Sequence, residues 1–144
     1  MLKGLIALLP ATLGAYLVGT VIATQVILAK VQGLGLPVTL GDRLGASGHD
    51  LLGMSSSYLP LLLIAFLIAM PVASQICRLL PRAHAYLFIL AGASAVVALH
   101  LIMKAVLGLN GVAAVRELHG LLLQGVAGGC GGYLFFVFTG RAHR

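Results

Sequence analysis

Charged side chains are scarce in this chain of 144 residues, which contains nine lysines and arginines and three acidic residues. They make up 8% of the sequence, against about 25% in average soluble domains. So few charges cannot cover the water-facing surface of a globule of this size, because large exposed apolar patches cause association. The scarcity of charge therefore excludes a soluble single domain.

Motifs that carry chemistry are also lacking. Cys77 and Cys130 form no metal-binding spacing and fall at different depths of two predicted spans, so we expect no disulfide. We find no Ser-His-Asp arrangement, P-loop or GxGxxG motif. The basic residues stand in ones and twos rather than in a stripe, which argues against a nucleic-acid partner. We expect neither an enzymatic activity nor a cofactor.

Long apolar runs are what the sequence does contain. Four runs of 21 to 27 residues carry no charge, and a bilayer core about 30 Å thick needs roughly 20 apolar residues in a helix. Turn signals at Pro81–Arg82 and Asn110–Gly111 make consecutive spans antiparallel neighbours. We predict an all-α integral membrane four-helix bundle that forms a single transmembrane domain over 1–144, with spans at about 5–29, 58–80, 83–107 and 112–138.

The first apolar run is read as a retained span rather than as a cleaved signal peptide. Only Lys3 precedes it, and it runs for about 25 residues, whereas the apolar region of a signal peptide has about 7–15.

The only long connection covers 32–57. Within it, Leu40, Leu44 and Leu51 recur on one face of a helix, and Thr39 with Asp42 resembles a capping box. We predict a short helix here that lies in the membrane interface.

Small residues recur at helical spacing in the first and last spans, and this pattern lets helix backbones approach closely. The first span also carries Thr20, Thr24 and Gln25 and the last carries Gln124, all of which we expect to hydrogen-bond across helices. The predicted packing residues are Ala11, Ala15, Gly19 and Ala23 in the first span and Gly125, Gly128, Gly129 and Gly132 in the last.

The sorting of charges gives an orientation. An even number of spans puts both termini on one side, and that side holds five cations and no acid. The other side, called the outer side, holds four cations with Asp42, Asp50 and Glu117. Because cations favour the cytoplasmic face, we predict an inner (plasma) membrane protein with cytoplasmic termini.

Polar residues gather at this outer side, and they are the only candidate functional site. Nitrogen and oxygen ligands of this kind suit a first-row metal, histidines can carry protons, and His100 with His119 could hold a haem. Ordinary solvation of the span ends explains the same residues more simply. The candidate outer polar cluster consists of His49, Asp50, His100, Lys104, Glu117 and His119.

The predicted function is that of a structural or accessory membrane component that works through helix–helix contacts. Its partners would be the lipid bilayer and a larger membrane protein or further copies of the same chain. The first alternative is a small oligomeric channel or transporter lined by the outer polar cluster. The second is a metal-binding or haem-binding membrane protein.

Overall fold

The computed structural model describes residues 2–80, 83–108 and 113–140, and this part of the chain is all-helical. The turns predicted at Pro81–Arg82 and Asn110–Gly111, and the C-terminal arginines used for the orientation, lie outside the described residues. The helices are α1 (Leu2–Gly33), α2 (Leu40–Gly53), α3 (Tyr58–Leu79), α4 (His84–Leu107) and α5 (Leu118–Gly140), with a 3₁₀ turn at Ala113–Arg116.

Four of the five helices are long and apolar enough to cross a membrane, which confirms that part of the prediction. The helix α1 extends beyond the predicted 5–29 at both ends and has 32 residues, or about 48 Å at 1.5 Å per residue. The last helix begins at Leu118 rather than at 112, because the chain first makes the 3₁₀ turn and places charged Glu117 beside α1.

The four long helices pack in the cyclic order α1, α5, α4, α3, so that each lies beside two main neighbours. The chain runs up and down through this bundle, and we call the outer end the one where α1 ends and α3 begins. The middle of the bundle is filled by side chains of α3 that recur every four residues. Leu62, Phe66 and Met70 have no exposed surface at all.

The small residues of α1 form one buried ridge, and α5 packs on it. Gly131 is required at this crossing, because a Cβ there would lie 2.7 Å from the carbonyl oxygen of Ala11 and 2.8 Å from the Cβ of Ala15. The buried ridge consists of Ala7, Ala11, Ala15, Gly19 and Ala23.

The glycines of α5 also bring its backbone against that of α4. A Cβ on Gly128 would overlap the carbonyl oxygen of Gly92, and one on Gly132 would overlap the carbonyl oxygen of Phe88. The predicted packing residues of both spans thus contact helices of their own chain. Gly125, Gly128, Gly129 and Gly132 are all buried.

The short helix predicted in the first connection is present as α2. The capping box is also present: the Asp42 backbone N–H donates to Thr39 Oγ1 at 3.2 Å, and the Thr39 N–H donates to the Asp42 carboxylate at 2.8 Å. The predicted apolar face is divided, because Leu51 packs against the core whereas Leu40 and Leu44 are exposed.

Candidate functional site

The most deeply buried polar side chain of α5 connects three helices near the outer end. Gln124 has no exposed surface; its Nε2 donates to the carbonyl oxygen of Gly19 on α1 at 2.7 Å. The hydroxyl of Tyr58 on α3 donates to Gln124 Oε1 at 3.2 Å. Both ends of the amide are therefore satisfied, which confirms the predicted interhelical role of Gln124.

The fourth helix joins this group through His100, which is 3% exposed. Its ring lies 5.6 Å from that of Tyr58, centroid to centroid. His100 Nδ1 is 2.8 Å from the carbonyl oxygen of Val96, which can only accept, so Nδ1 carries the hydrogen. Nε2 is buried and has no hydrogen-bond partner among the described residues. We call Gly19, Tyr58, His100 and Gln124 the polar node.

A second set of contacts attaches α2 to the outer half of α1. Thr24 Oγ1 donates to Asp50 Oδ2 at 2.7 Å, and Gln25 Nε2 donates to Ser47 Oγ at 3.1 Å. Nearer the outer end, Arg43 donates to the side-chain oxygen of Gln25 at 2.7 Å. The two helices therefore run antiparallel, with polar side chains between them, and α2 covers the polar outer half of α1.

These contacts extend from near the outer end of α1 to its middle. Arg43 Nη2 donates to Gln32 Oε1 at 2.9 Å, and the Tyr16 hydroxyl donates to the carbonyl oxygen of Leu51. The Tyr16 ring lies 6.2 Å from that of Tyr58. Tyr16 therefore links α2, through Leu51, to the polar node.

The outer polar cluster predicted from the sequence is divided among several places. His100 lies inside the bundle, Asp50 faces α1, and His49 is exposed. Glu117 and His119 pair at the surface, and Lys104 is exposed nearby. These side chains do not form one ligand set: within the part of the chain that the structure describes, no three His, Cys, Asp or Glu side chains could hold one metal ion.

The exposed carboxylate of Glu117 belongs to an ion pair that the sequence did not predict. Lys30 Nζ at the end of α1 donates to Glu117 Oε1 at 2.6 Å, and His119 Nδ1 lies 3.1 Å from Oε2. The hydrogen bond from Lys30 holds the pKa of Glu117 below its ordinary value. Lys104 and Arg116, the nearby cations, form no ion pair with any described acid.

A cavity of about 220 Å³ lies where α4 ends and α5 begins. Four of its eight lining residues are polar or charged and four are apolar. We call it the outer cavity, and its lining residues are His100, Leu101, Lys104, Val115, Arg116, Glu117, Leu118 and Leu121.

Tyr58 of the polar node, and Tyr16 and Ser47 of the contacts between α1 and α2, were not predicted from the sequence. A signal was present, because Thr12, Tyr16, Thr20 and Thr24 recur every four residues and are all buried. Such a polar stripe beside a ridge of small residues marks the face of α1 that points into the bundle.

No protein-family model, curated protein or solved structure matches this chain.

Proposed function

We propose that the chain is an integral membrane protein that crosses the bilayer four times, with α2 and the 3₁₀ turn at the outer face. Large apolar side chains exposed on all four long helices support the proposal, since nothing but lipid or another apolar surface would cover them. On α1 the exposed stripe extends over 17 residues, a rise of about 24 Å along the helix. It consists of Leu5, Leu9, Leu13, Leu17 and Val21.

The stripe on α1 ends where the polar contacts with α2 begin. Beyond Val21, α1 presents Thr24 and Gln25 to α2. This change from apolar to polar surface supports a membrane boundary about two thirds of the way along α1, with the outer third of the helix beyond the hydrocarbon core. Exposed Leu40, Leu44 and Leu52 would then place α2 at the lipid surface.

We further propose a structural or accessory role, and the filled interior of the bundle is the observation that carries it. A conducting pore needs a continuous polar path, whereas Leu62, Phe66 and Met70 occupy the middle of the bundle without exposed surface. A pore between several copies of the chain is the alternative. The inner membrane and cytoplasmic termini belong to the same proposal and rest on the distribution of cations.

Impermeant thiol labelling tests the four-span arrangement. In a background with Cys77→Ala and Cys130→Ala, we expect Gly48→Cys on α2 to react from one side of intact membrane vesicles. Leu80→Cys, after α3, should react only after the other side is made accessible. Reaction of both from the same side would exclude the arrangement.

Reconstitution tests the proposed role. We expect purified protein in liposomes to carry no ion or proton flux above that of empty liposomes. We also expect one stoichiometric partner to remain bound in mild detergent, with the complex unaffected by His49→Ala or His119→Ala. A flux that His100→Ala abolishes would instead favour the channel.

A further inference from the structure

We propose that the outer cavity binds the phosphate of an anionic lipid headgroup. The inference rests on the proposed membrane insertion, because a lipid can reach the cavity only if the outer end of the bundle lies at the bilayer surface.

The charge of the cavity favours an anion. Lys104 and Arg116 line it, both are exposed, and neither forms an ion pair with any described residue. Glu117 is the one acid in the lining, and its carboxylate is already bound by Lys30. Two cations therefore remain for a ligand, and cations at the lipid surface attract anionic headgroups.

Two further groups in the lining suit a phosphate. The helix α5 begins at Leu118 in the wall of the cavity, and the N–H groups of a first helical turn lack intrahelical acceptors and attract anions. His100 also lines the cavity, is 97% buried, and its Nε2 has no partner in the described part of the chain. The phosphodiester of such a lipid carries no hydrogen at neutral pH and can only accept, so it would accept a hydrogen bond from Nε2 of the protonated ring.

The apolar part of the lining selects a lipid over free phosphate. Leu101 and Leu118 line the cavity and are also 51% and 72% exposed on the outer surface of the bundle. When a headgroup is bound in the cavity, these leucines give the acyl chains of the same lipid an apolar surface to pack against. Inorganic phosphate would make no use of these leucines.

Binding of defined lipids to the full chain in neutral detergent tests the proposal, with the thermal unfolding midpoint and native mass spectrometry as readouts. We expect phosphatidylglycerol to bind and to raise the unfolding midpoint, and phosphatidylcholine and inorganic phosphate to do neither. In a Lys104→Gln/Arg116→Gln variant, phosphatidylglycerol should bind about tenfold more weakly, as expected for the loss of a charge-assisted hydrogen bond.

The matched control removes the same net charge at the opposite end of the bundle. Lys3→Gln/Arg78→Gln should bind phosphatidylglycerol as the parent does. Equal weakening by both double variants would reduce the effect to general charge attraction and overturn the site. Equal binding of inorganic phosphate, or of phosphatidylcholine, would also overturn it.

The two proposals can fail separately. Thiol labelling at Gly48→Cys and Leu80→Cys, introduced into the same charge variants, reports on the four-span arrangement without any added lipid. If labelling shows four spans but the parent and the Lys104→Gln/Arg116→Gln variant bind phosphatidylglycerol equally, the lipid site is wrong and the four-span arrangement stands.

Discussion

At the scale of the residue, Gln124 makes two interhelical hydrogen bonds, more than any other side chain in the polar node. In an apolar surrounding the alternative to these hydrogen bonds is an unpaired amide, which is costly. Gly19 makes the contact possible, because a Cβ at this position would lie 2.8 Å from Gln124 Oε1. A small residue on α1 and a polar residue on α5 therefore depend on each other.

We expect Gln124→Leu to lower the free energy of unfolding by about 1 kcal/mol, the scale measured for interhelical hydrogen bonds in membranes. The substitution leaves the Tyr58 hydroxyl and the Gly19 carbonyl without their partner. Unfolding in mixed detergent micelles measures the change. Gln75→Leu is the control, because Gln75 is exposed on α3 and makes no interhelical hydrogen bond with the described residues. Equal losses in the two variants would show that the polar node adds nothing to stability.

At the scale of the element, α5 is the central helix, packed against both α1 and α4, and α2 lies over the outer half of α1. Glycines bring α5 into backbone contact with α4 and small residues bring it against α1, whereas α2 is held through polar side chains such as Thr24 and Asp50. Backbone contacts tolerate no added atoms, but hydrogen bonds at a partly exposed surface can open locally. The two helices should therefore respond differently to substitution.

Gly132→Ala should destabilise the protein by about 1–3 kcal/mol, because the added methyl overlaps the backbone of Phe88 and forces α4 and α5 apart. Gly45→Ala on α2 is the matched control. A Cβ there meets nothing within 4 Å, so it should stabilise the helix by about 0.5–1 kcal/mol through propensity. The two thermal unfolding midpoints should move in opposite directions. A neutral Gly132→Ala would contradict the close packing of α4 and α5.

Thr24→Val should loosen α2 without unfolding the bundle. Valine has the shape of threonine but cannot donate to the Asp50 carboxylate, so amide hydrogen exchange in α2 should accelerate by about tenfold. Exchange in α3 and α5 should stay unchanged. Thr12→Val is the control, since Thr12 Oγ1 is also buried but has no hydrogen-bond partner among the described residues. Faster exchange in α2 of both variants would mean that the Thr24–Asp50 contact does not hold the helix.

At the scale of the whole molecule, the two ends of the bundle differ in chemistry. Every described acid lies at the outer end of the bundle, where Asp42 caps α2 and Glu117 pairs with Lys30 of α1. The pKa of Asp42 lies below its ordinary value, because Thr39 donates to its carboxylate through its hydroxyl and its backbone N–H. The pKa of Glu117 is lowered by Lys30.

Acid should therefore weaken the Thr39–Asp42 cap of α2 and the Lys30–Glu117 pair before it affects the four long helices. A lowered folded-state pKa means that the unfolded state binds protons first, so the stabilisation is present above about pH 4 and is lost as pH falls below it. We expect amide exchange in α2, corrected for its intrinsic pH dependence, to accelerate from pH 5 to pH 3 while α3 remains protected. Thr39→Ala and Glu117→Gln together should remove most of this pH dependence. Persistence of the full pH dependence in that variant would assign it to other groups.

The sequence was sufficient for the features that depend on position along the chain. The charge-free runs predicted the four long helices, and Thr39 with Asp42 predicted the start of α2. Cys77 and Cys130 are free, as expected from their different depths. Gln124 was predicted to bond across helices, and it does.

What the sequence could not provide was the direction in which polar residues face around each helix. His100 and Lys104 share a helix face, as their spacing predicts, and both line the outer cavity. The spacing did not show that His100 is buried beside Tyr58 whereas Lys104 is exposed. The pairing of Glu117 with Lys30 joins residues 87 positions apart, which no local pattern can reveal. The sequence therefore placed the outer polar cluster at the correct end of the bundle, but it did not show which residues each of its side chains contacts.

The central position of α5 has a consequence for how the protein is made. Translation proceeds from α1 to α5, so the helix that contacts both α1 and α4 is the last of the five to leave the ribosome. Until then, Tyr58 and the carbonyl of Gly19 have no Gln124 to bind, and the ridge on α1 has no glycine face to pack on. The earlier helices form an incomplete set until α5 is made, and the bundle closes only when α5 packs against α1 and α4.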